Sequence, residues 1–180
     1  MYKMSTPTTP KTINTTPNQT IKRELLLLAL NIPVTSESTT TDSWHIIGKR
    51  TESSNMEYNH DSTTVRDIIG NTWTDMKAPV ITQQFDPVKL DSADAAAKKI
   101  WELAIRDHDM QALSSLDMLV IHLYAEGFAE RYSACAVDVT GLGGDGGDVL
   151  NMPFTVTFGG ERTKGTATIT SGVISFTADT

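Results

Sequence analysis

A glycine- and aspartate-rich stretch at 143–151 comes closest to a recognisable binding chemistry. Its sequence, GGDGGDVLN, matches one copy of the nonapeptide that binds calcium in parallel β-rolls. Asp145 and Asp148 would then be the calcium ligands. Sites of that kind share ligands between stacked repeats, and this motif occurs once. The sequence therefore favours a flexible, acidic loop over 141–148, with calcium binding at Asp145 and Asp148 as the alternative.

Histidine and cysteine side chains are the other usual metal ligands and nucleophiles. The chain has His45, His60, His108, His122 and a single cysteine, Cys135. No two histidines stand in an HExxH or HxH spacing that would bring both to one metal ion. His108 continues the apolar face of a predicted helix, which favours a partly buried, helix-terminal histidine over a general base. Cys135 lies among strand residues and is expected to be a small buried hydrophobe.

The chain has none of the common enzyme signatures. It contains no GxSxG or P-loop motif, and one cysteine can form neither an intrachain disulfide nor a paired-cysteine zinc site. The acid pairs Asp107/Asp109 and Asp145/Asp148 have no apolar pocket beside them that the sequence reveals. Threonine hydroxyls, abundant near the C-terminus, need an activating partner before they can react. We therefore expect a non-enzymatic protein without a cofactor.

One amphipathic helix is predicted over 92–109. Asp91 or Ser92 can cap its N-terminus. Apolar residues recur on one face at a spacing of three and four, and they are Ala97, Ile100, Trp101, Ala104 and Ile105. We expect burial of this face around Trp101 to hold the helix on the rest of the fold.

Strand patterns dominate the remainder of the chain. Over 152–178 apolar residues alternate with polar ones, which is typical of strands with one buried face. The short apolar run at 25–30 fits a buried strand or a docking segment, and strand-like composition recurs at 44–48, 64–78, 118–125 and 132–140. The polar segment 49–63 predicts an extended loop or a mobile hairpin. The predicted fold is mainly β with one packed α-helix (α+β), an antiparallel sandwich or barrel.

The first 22 residues differ from the rest in composition. They contain three prolines and seven threonines, carry no acid and show no periodicity, so a flexible N-terminal arm is predicted over 1–22. Residues 23–180 would form a single β domain. The run at 25–30 is too short to span a bilayer, and no secretory signal opens the sequence, so we expect no membrane association.

The net charge of −7 is unevenly distributed. Ten acids stand against three bases over 107–180, whereas acids and bases balance over 1–106. Tight binding to nucleic acid needs clustered lysine and arginine, so this distribution argues against it.

The order of several segments resembles that of siphophage major tail tube proteins. The likeness covers about 44–178 and includes the predicted helix. The other segments that carry it are 64–70 (TVRDIIG), 73–79, Phe85-Asp86-Pro87, 154–158 (FTVTF), Gly159-Gly160 and Lys164-Gly165-Thr166.

This resemblance implies a specific assembly. In that family, which shares its fold with contractile tails and type VI secretion tubes, hexameric rings stack into a tube through which DNA passes without specific binding. The partners implied are further copies of the chain, a tape-measure protein and tail-completion or tail-tip proteins. The location implied is the virion tail, after assembly in the host cytoplasm. The arm 1–22 and the loop 49–63 would bridge successive rings, and the acidic C-terminal part would repel DNA from the channel wall.

Two other functions stay open on the sequence alone. A β-sandwich binding or adhesion module would also have threonine-rich strands and no catalytic motif. An enzyme would have to rely on His108 or on the glycine-rich loop.

Overall fold

The structure is a computed structural model that describes residue 13 and residues 18–179. The predicted arm over 1–22 lies for the most part outside the described residues. The described strands are β1 (Leu26–Asn31), β2 (Val34–Ser36), β3 (Thr39–Thr41), β4 (Trp44–Ile47), β5 (Thr51–Asn59), β6 (Ser62–Arg66), β7 (Thr72–Met76), β8 (Val80–Val88), β9 (Leu116–His122), β10 (Phe128–Val139), β11 (Phe154–Thr157), β12 (Arg162–Thr170) and β13 (Val173–Ala178). The helices are α1 (Ala95–Trp101) and α2 (Met110–Leu113), with helical turns at Arg23–Leu25, Glu102–Arg106 and Leu123–Ala125.

The long strand β10 takes part in two antiparallel sheets. In the first, the order is β4-β1-β9-β10-β12-β13, and residues 128–132 of β10 pair with both β9 and β12. In the second, residues 136–139 of β10 pair with β11, which is followed by β8 and β5. The register shifts between Tyr132 and Cys135, where β10 passes from one sheet to the other. This arrangement confirms the predicted fold class, a mainly β domain with a packed helix.

Strand β1, in the interior of the first sheet, is buried on both faces. Leu28 and Leu30 pack into the main core with the helix and the second sheet. Ala29, which points the other way, packs with Trp44 and Leu119 in a second cluster on the opposite face. Two buried faces explain why the sequence is uninterruptedly apolar here. The prediction of a short buried strand at 25–30 is confirmed, with β1 beginning one residue later.

The N-terminus of the helix differs from the prediction. Asp94 caps α1, since its Oδ1 accepts the N–H groups of Ala96 at 3.1 Å and Ala97 at 3.2 Å. Asp91 instead closes a turn by accepting the N–H of Ala93 at 3.0 Å. The predicted cap at Asp91 or Ser92 is therefore wrong.

The C-terminal half of the helix also differs. After Trp101 the chain continues as a wider π-helical turn, Glu102–Arg106, and this turn rotates the side chains that follow. Ile100 is fully buried, whereas Trp101 is only partly buried against the core. His108 lies beyond the helix, exposed and with a φ of +51°. The helix therefore ends before 109, and the expectation of a partly buried, helix-terminal His108 is wrong.

The segment 49–63, predicted as an extended loop or a mobile hairpin, is mostly strand and forms part of a hairpin. Strand β5 pairs with β8 in one constant register that ends at Asn59↔Val80. Beyond that pair, β6 and β7 form a second antiparallel ladder, so both ladders lie in series in one long hairpin spanning 51–88. Strand β5 is an edge strand with mostly exposed residues, so its sequence lacks the regular apolar period that would predict a strand.

The alternating residues near the C-terminus fill the core as predicted. Phe154 and Val156 of β11 are buried, and the ring of Phe154 stacks on Phe85 of β8 with a centroid separation of 5.1 Å. Ala167 and Ile174, from β12 and β13, belong to the second cluster.

Candidate functional site

The β6–β7 hairpin exposes every residue of both its strands. Its register runs from Ser62↔Met76 to Arg66↔Thr72. Strands of an antiparallel sheet usually bury one face against a core. A hairpin that is exposed on both faces has no such contact within the single chain, so its side chains are available to a partner.

A single aspartate organises the tip of this hairpin, residues 67–71. The Oδ1 atom of Asp67 accepts the N–H groups of Ile69 at 3.0 Å and Asn71 at 2.8 Å, and its Oδ2 accepts the side-chain amide of Asn71 at 3.0 Å. Gly70 completes the turn with a φ of +96°, which favours glycine. Desolvation raises the pKa of Asp67, but the hydrogen bonds from Asn71, Ile69 and Gly70 outweigh it and hold the pKa below its ordinary value. The tip therefore has a defined shape.

This turn presents two isoleucines to solvent. Ile68 is 104% exposed and Ile69 is 79% exposed. Three further apolar side chains of the hairpin are exposed, and they are Val65, Trp73 and Met76. Isolated apolar residues are common on protein surfaces, but two adjacent exposed isoleucines at the tip of a hairpin, with Val65 and Trp73 paired behind them, are a candidate interaction surface. The sequence analysis predicted strands over 64–78 but did not identify this tip.

Polar contacts along the hairpin hold its two strands together. The hydroxyls of Thr64 and Thr74 lie 3.0 Å apart across the ladder. At the base of the hairpin, Lys77 Nζ lies 2.6 Å from Asp61 Oδ2. Exposed pairs of this kind contribute up to about 1 kcal/mol each, so they fix register more than they add stability.

An aromatic pocket lies beside the point where the two ladders of the long hairpin meet. It has a volume of about 460 Å³, and its wall includes Tyr58, Tyr132 and Phe158 around the buried carboxylate of Glu130. Arg162 donates to Glu130 Oε1, with Nε at 2.7 Å, and His122 Nε2 lies 3.3 Å from Oε2.

Burial and ion pairing act in opposite directions on the pKa values of this pocket. Desolvation raises the pKa of Glu130, but the hydrogen bonds from His122 and Arg162 outweigh it and hold that pKa below its ordinary value. Desolvation, with the nearby charge of Glu130, raises the pKa of Tyr132 to about 12. Glu130 is thus a fully partnered anion, an arrangement that fixes the junction between β9, β10 and β12.

A second ionic cluster connects β1, β9 and β10 of the first sheet to the segment around Asp42. Arg131 donates to Asp117 through Nε at 3.0 Å and Nη2 at 2.6 Å, and to Asp42 through Nη1 at 2.9 Å. Its guanidinium lies 5.2 Å from the centroid of the Trp44 ring. Asn31 donates to both carboxylates, so the cluster cross-links four segments of chain and is structural.

The residues singled out from the sequence do not converge on one site. Asp145 and Asp148 lie in an exposed loop. There Asp148 Oδ1 accepts a hydrogen bond from the backbone N–H of Val149 at 2.7 Å. Within the described ranges, no group of three or more His, Cys, Asp or Glu side chains could hold a metal ion. Cys135 is fully buried, as expected, and desolvation raises the pKa of its thiol to about 12. Across residue 13 and 18–179, no helix has the length and apolar character needed to cross a membrane.

Comparison with known proteins identifies the fold. No family model and no curated protein matches the sequence. Among solved structures, the chain is similar to the PVC sheath/tube terminator of an extracellular contractile injection system in its extended state. The TM-score is 0.50 at 11% sequence identity, and the match covers 83% of this chain and 99% of that chain.

Two further structures are similar at lower scores. The tube-terminating cap of the anti-feeding prophage AFP gives a TM-score of 0.47 at 12% identity, covering 86% of this chain and 96% of that chain. The PVC sheath-tube complex in the extended state gives 0.45 at 9% identity, covering 83% and 94%. The match at a TM-score of 0.50 relates the fold to that of a sheath/tube terminator, which agrees with the tail-tube resemblance at the level of fold. This structural similarity supports a tail-tube-related fold but does not assign the chain to the siphophage major tail tube proteins.

Proposed function

We propose that this chain is a non-enzymatic structural protein of a phage tail, which polymerises as stacked hexameric rings into the tube of a long, non-contractile tail. The observation that carries the proposal is the β6–β7 hairpin, which is exposed on both faces and displays Ile68 and Ile69, on a fold shared with a tube terminator. An apolar group on a protruding element is stabilised when a neighbouring subunit covers it.

A second copy of the chain is the partner that this hairpin fits best. The Asp67 turn fixes the backbone that carries both isoleucines before contact, so less backbone entropy is lost on docking. In a closed ring each subunit gives its hairpin to one neighbour and receives one from the other, which is a heterologous contact repeated around an axis.

The proposed channel carries DNA without binding it. The C-terminal part supplies exposed carboxylates at Asp138, Asp145, Asp148 and Glu161. If this surface faces the lumen, its field repels phosphate groups and keeps the passing genome from adhering. A tape-measure protein and tail-completion or tail-tip proteins are the further partners, and the virion tail is the location, after assembly in the host cytoplasm.

A tube terminator is the second candidate function. It is favoured by the structural likeness to the PVC terminator, of which 99% of the chain is covered. A terminator would form one ring and stop, whereas a tube subunit would add ring upon ring. The two functions therefore differ in the size of the assembly and not in the fold.

Sedimentation velocity of the purified full chain over a wide concentration range tests the proposal. A tube subunit gives a 19.6 kDa monomer that converts into rings and then into species of growing, open-ended mass. A terminator stops at a single ring. A chain that stays monomeric throughout would contradict both functions and favour the binding or adhesion module.

A further inference from the structure

A cleft between the edges of the two sheets has buried polar atoms in its wall that lack partners. The cleft has a volume of about 490 Å³ and lies between β1 and β4 on one side and β5 and β8 on the other. Leu28, Ile47 and Phe85 form part of its apolar wall, and all three are buried. A space of this size holds a large side chain, so the described residues leave the cleft incompletely filled.

Two atoms of this wall, Gln83 Oε1 and Thr51 Oγ1, are buried and have no hydrogen-bond partner among the described residues. Gln83 is only 1% exposed, and its Nε2 donates to Ser54 Oγ at 2.9 Å. If the amide is turned, Oε1 meets Ser54 and Nε2 is left unpaired instead. Leaving a buried polar atom unpaired is costly, which indicates a group that the described residues do not supply.

The N-terminal segment is tethered to this cleft. Lys22, Arg23 and Glu24 belong to the cleft wall. Arg23 is fixed there, since its Nη1 donates to Leu26 O at 2.6 Å and its Nε to Ser54 O at 3.3 Å. Ser54 is also the residue that Gln83 contacts, so the segment before Lys22 starts close to the unpaired amide.

The missing group needs an apolar body for the wall and a polar tip for the amide. Tyr2 is the only aromatic residue in 1–17, and its hydroxyl both donates and accepts, so it suits either orientation of Gln83. The threonines of the segment have the hydroxyl without a large apolar body, and Met1 and Met4 have the reverse. Tyr2 is therefore the side chain of this segment that matches the cleft best.

The spacing along the chain allows Tyr2 to return to the rim. Ile13 is 56% exposed and is not part of the cleft wall, and Asn18, between Ile13 and the rim, lies in a turn with a φ of +61°. Nine residues lead from Lys22 to Ile13 and eleven from Ile13 to Tyr2. These stretches span roughly 30 and 36 Å when extended, so the second is long enough to bring Tyr2 back.

We propose that Tyr2 docks in this cleft of its own chain while the subunit is unassembled, so that residues 1–17 act as an N-terminal latch. The ring packs on Leu28, Ile47 and Phe85, and the hydroxyl pairs with the polar atom of Gln83 that Ser54 leaves unpaired.

Tethering selects the chain's own latch over that of another copy. A random-coil tether of twenty residues, the separation of Tyr2 from Lys22, has a root-mean-square span of about 25 Å and gives an effective concentration in the millimolar range. A second copy offers its latch only at the bulk protein concentration, which is micromolar in dilute solution. The chain's own latch is thereby favoured roughly a thousandfold.

The docked latch also covers part of a strand edge. Thr51, Glu52 and Ser54 of the edge strand β5 line the cleft. Open edges are where strands of other chains add, so a docked latch keeps the free subunit from pairing there. This consequence rests on the proposed self-assembly, whereas the docking of Tyr2 does not.

Intramolecular cross-linking tests the docking. A full-length chain carries Lys3→Cys, next to Tyr2, and Lys49→Cys, an exposed residue of the cleft wall. The native Cys135 can stay, because it is buried and its thiol pKa is raised to about 12. At sub-micromolar protein, mild oxidation should close a disulfide at monomer mass, and adding Tyr2→Ser should slow closure about tenfold. Equal closure rates with and without Tyr2 would overturn the inference.

A double-mutant cycle in the same chain tests the polar contact. Tyr2→Phe removes the hydroxyl and Gln83→Met removes both polar atoms of the amide, so each alone should slow closure about threefold. Both changes remove one shared contact, so their combination should slow closure no further. Effects that multiply would overturn the pairing of Tyr2 with Gln83. Melting curves check that Gln83→Met folds, and Tyr2→Phe against Tyr2→Ser still tests the docking if it does not.

The remaining outcomes separate the latch from the proposed function. A disulfide that forms only at dimer mass, and faster as concentration rises, would identify a second copy as the occupant and overturn the inference. If closure depends on Tyr2 but the wild type never assembles, the latch stands and the proposed function fails. If both hold, Tyr2→Ser should assemble at a several-fold lower concentration than wild type, and an unchanged onset in sedimentation velocity would refute the effect of the latch on assembly.

Discussion

Asp67 accepts two hydrogen bonds from Asn71, one from the backbone N–H at 2.8 Å and one from the side-chain amide at 3.0 Å. These bonds close the tip of the β6–β7 hairpin and hold Ile68 and Ile69 outward. Ile68, Ile69 and both strands of the hairpin are exposed, so the order of the tip contributes little to burial within the chain. Substitutions in the tip should therefore separate assembly from folding.

The first prediction concerns the turn itself. Asp67→Ala removes all of the side-chain acceptors, so the tip loosens and self-association should need a several-fold higher concentration. Its melting temperature should barely change, since exposed substitutions usually alter stability by no more than about 0.5 kcal/mol. Asp67→Asn, which keeps Oδ1 as an acceptor for Ile69 and Asn71, is the matched control and should assemble nearly as well. Equal sedimentation profiles for Ala and wild type would refute the role given to this turn.

The second prediction concerns the apolar surface of the tip. Ile68→Asp combined with Ile69→Asp places two charges where a neighbouring subunit should close over the tip, so ring formation should be lost while the monomer stays folded. Val34→Asp is a suitable control, because Val34 is 58% exposed on the separate β2–β3 hairpin. Light scattering reports the assembly and circular dichroism the fold. Loss of assembly in the control to the same degree would remove the special role of the tip.

The third prediction concerns the helix. Ile100 is fully buried in the main core, so Ile100→Ala should lower the free energy of unfolding by about 2–5 kcal/mol. Trp101 is only partly buried, so Trp101→Ala should cost less despite its larger side chain. Urea denaturation compares the two variants. A larger loss for Trp101→Ala would restore the helical face expected from the sequence.

The helix shows where the sequence stops being informative. Its existence follows from the apolar spacing, but Asp91, Ser92 and Asp94 are all capping residue types, and only tertiary packing selects Asp94. The π-helical turn after Trp101 leaves no signature in composition. Of the predicted face, Ala97, Ile100 and Ala104 are buried, whereas Trp101 and Ile105 are only partly buried.

Among the strands, too, the sequence predicts burial only where one face meets the core. Phe154 and Val156 alternate with threonines because one face of β11 meets the core, so their burial follows from the pattern. Strand β7 lies in a segment of strand-like composition, but its sequence does not show which face meets a partner, because all of its residues are exposed. Whether Ile68 and Ile69 lie in a core or at a free tip depends on which strands pair, and pairing depends on contacts that are distant in sequence.

The fourth prediction uses the buried ion pair of Glu130. Its pKa in the folded chain lies below the ordinary value of 4.5, because the hydrogen bonds from His122 and Arg162 outweigh desolvation. A lowered carboxyl pKa adds stability that is fully present above the unfolded value and is lost as the pH falls through the folded value. The wild-type melting temperature should therefore fall more steeply between about pH 5 and pH 3 than that of Glu130→Gln.

The Glu130→Gln variant should also be less stable than wild type at pH 7, because it leaves Arg162 without its anionic partner. Melting curves recorded at each pH by circular dichroism supply both comparisons. Parallel pH profiles for the two proteins would show that Glu130 does not carry this dependence.

The most direct test of the central claim, that this chain builds a tube from copies of itself, is negative-stain electron microscopy of the purified full chain at low and high concentration. The account predicts hexameric rings that stack into hollow tubes as concentration rises, and it predicts that the Ile68→Asp, Ile69→Asp variant shows only small particles. Dispersed small particles from the wild type at every concentration would contradict it.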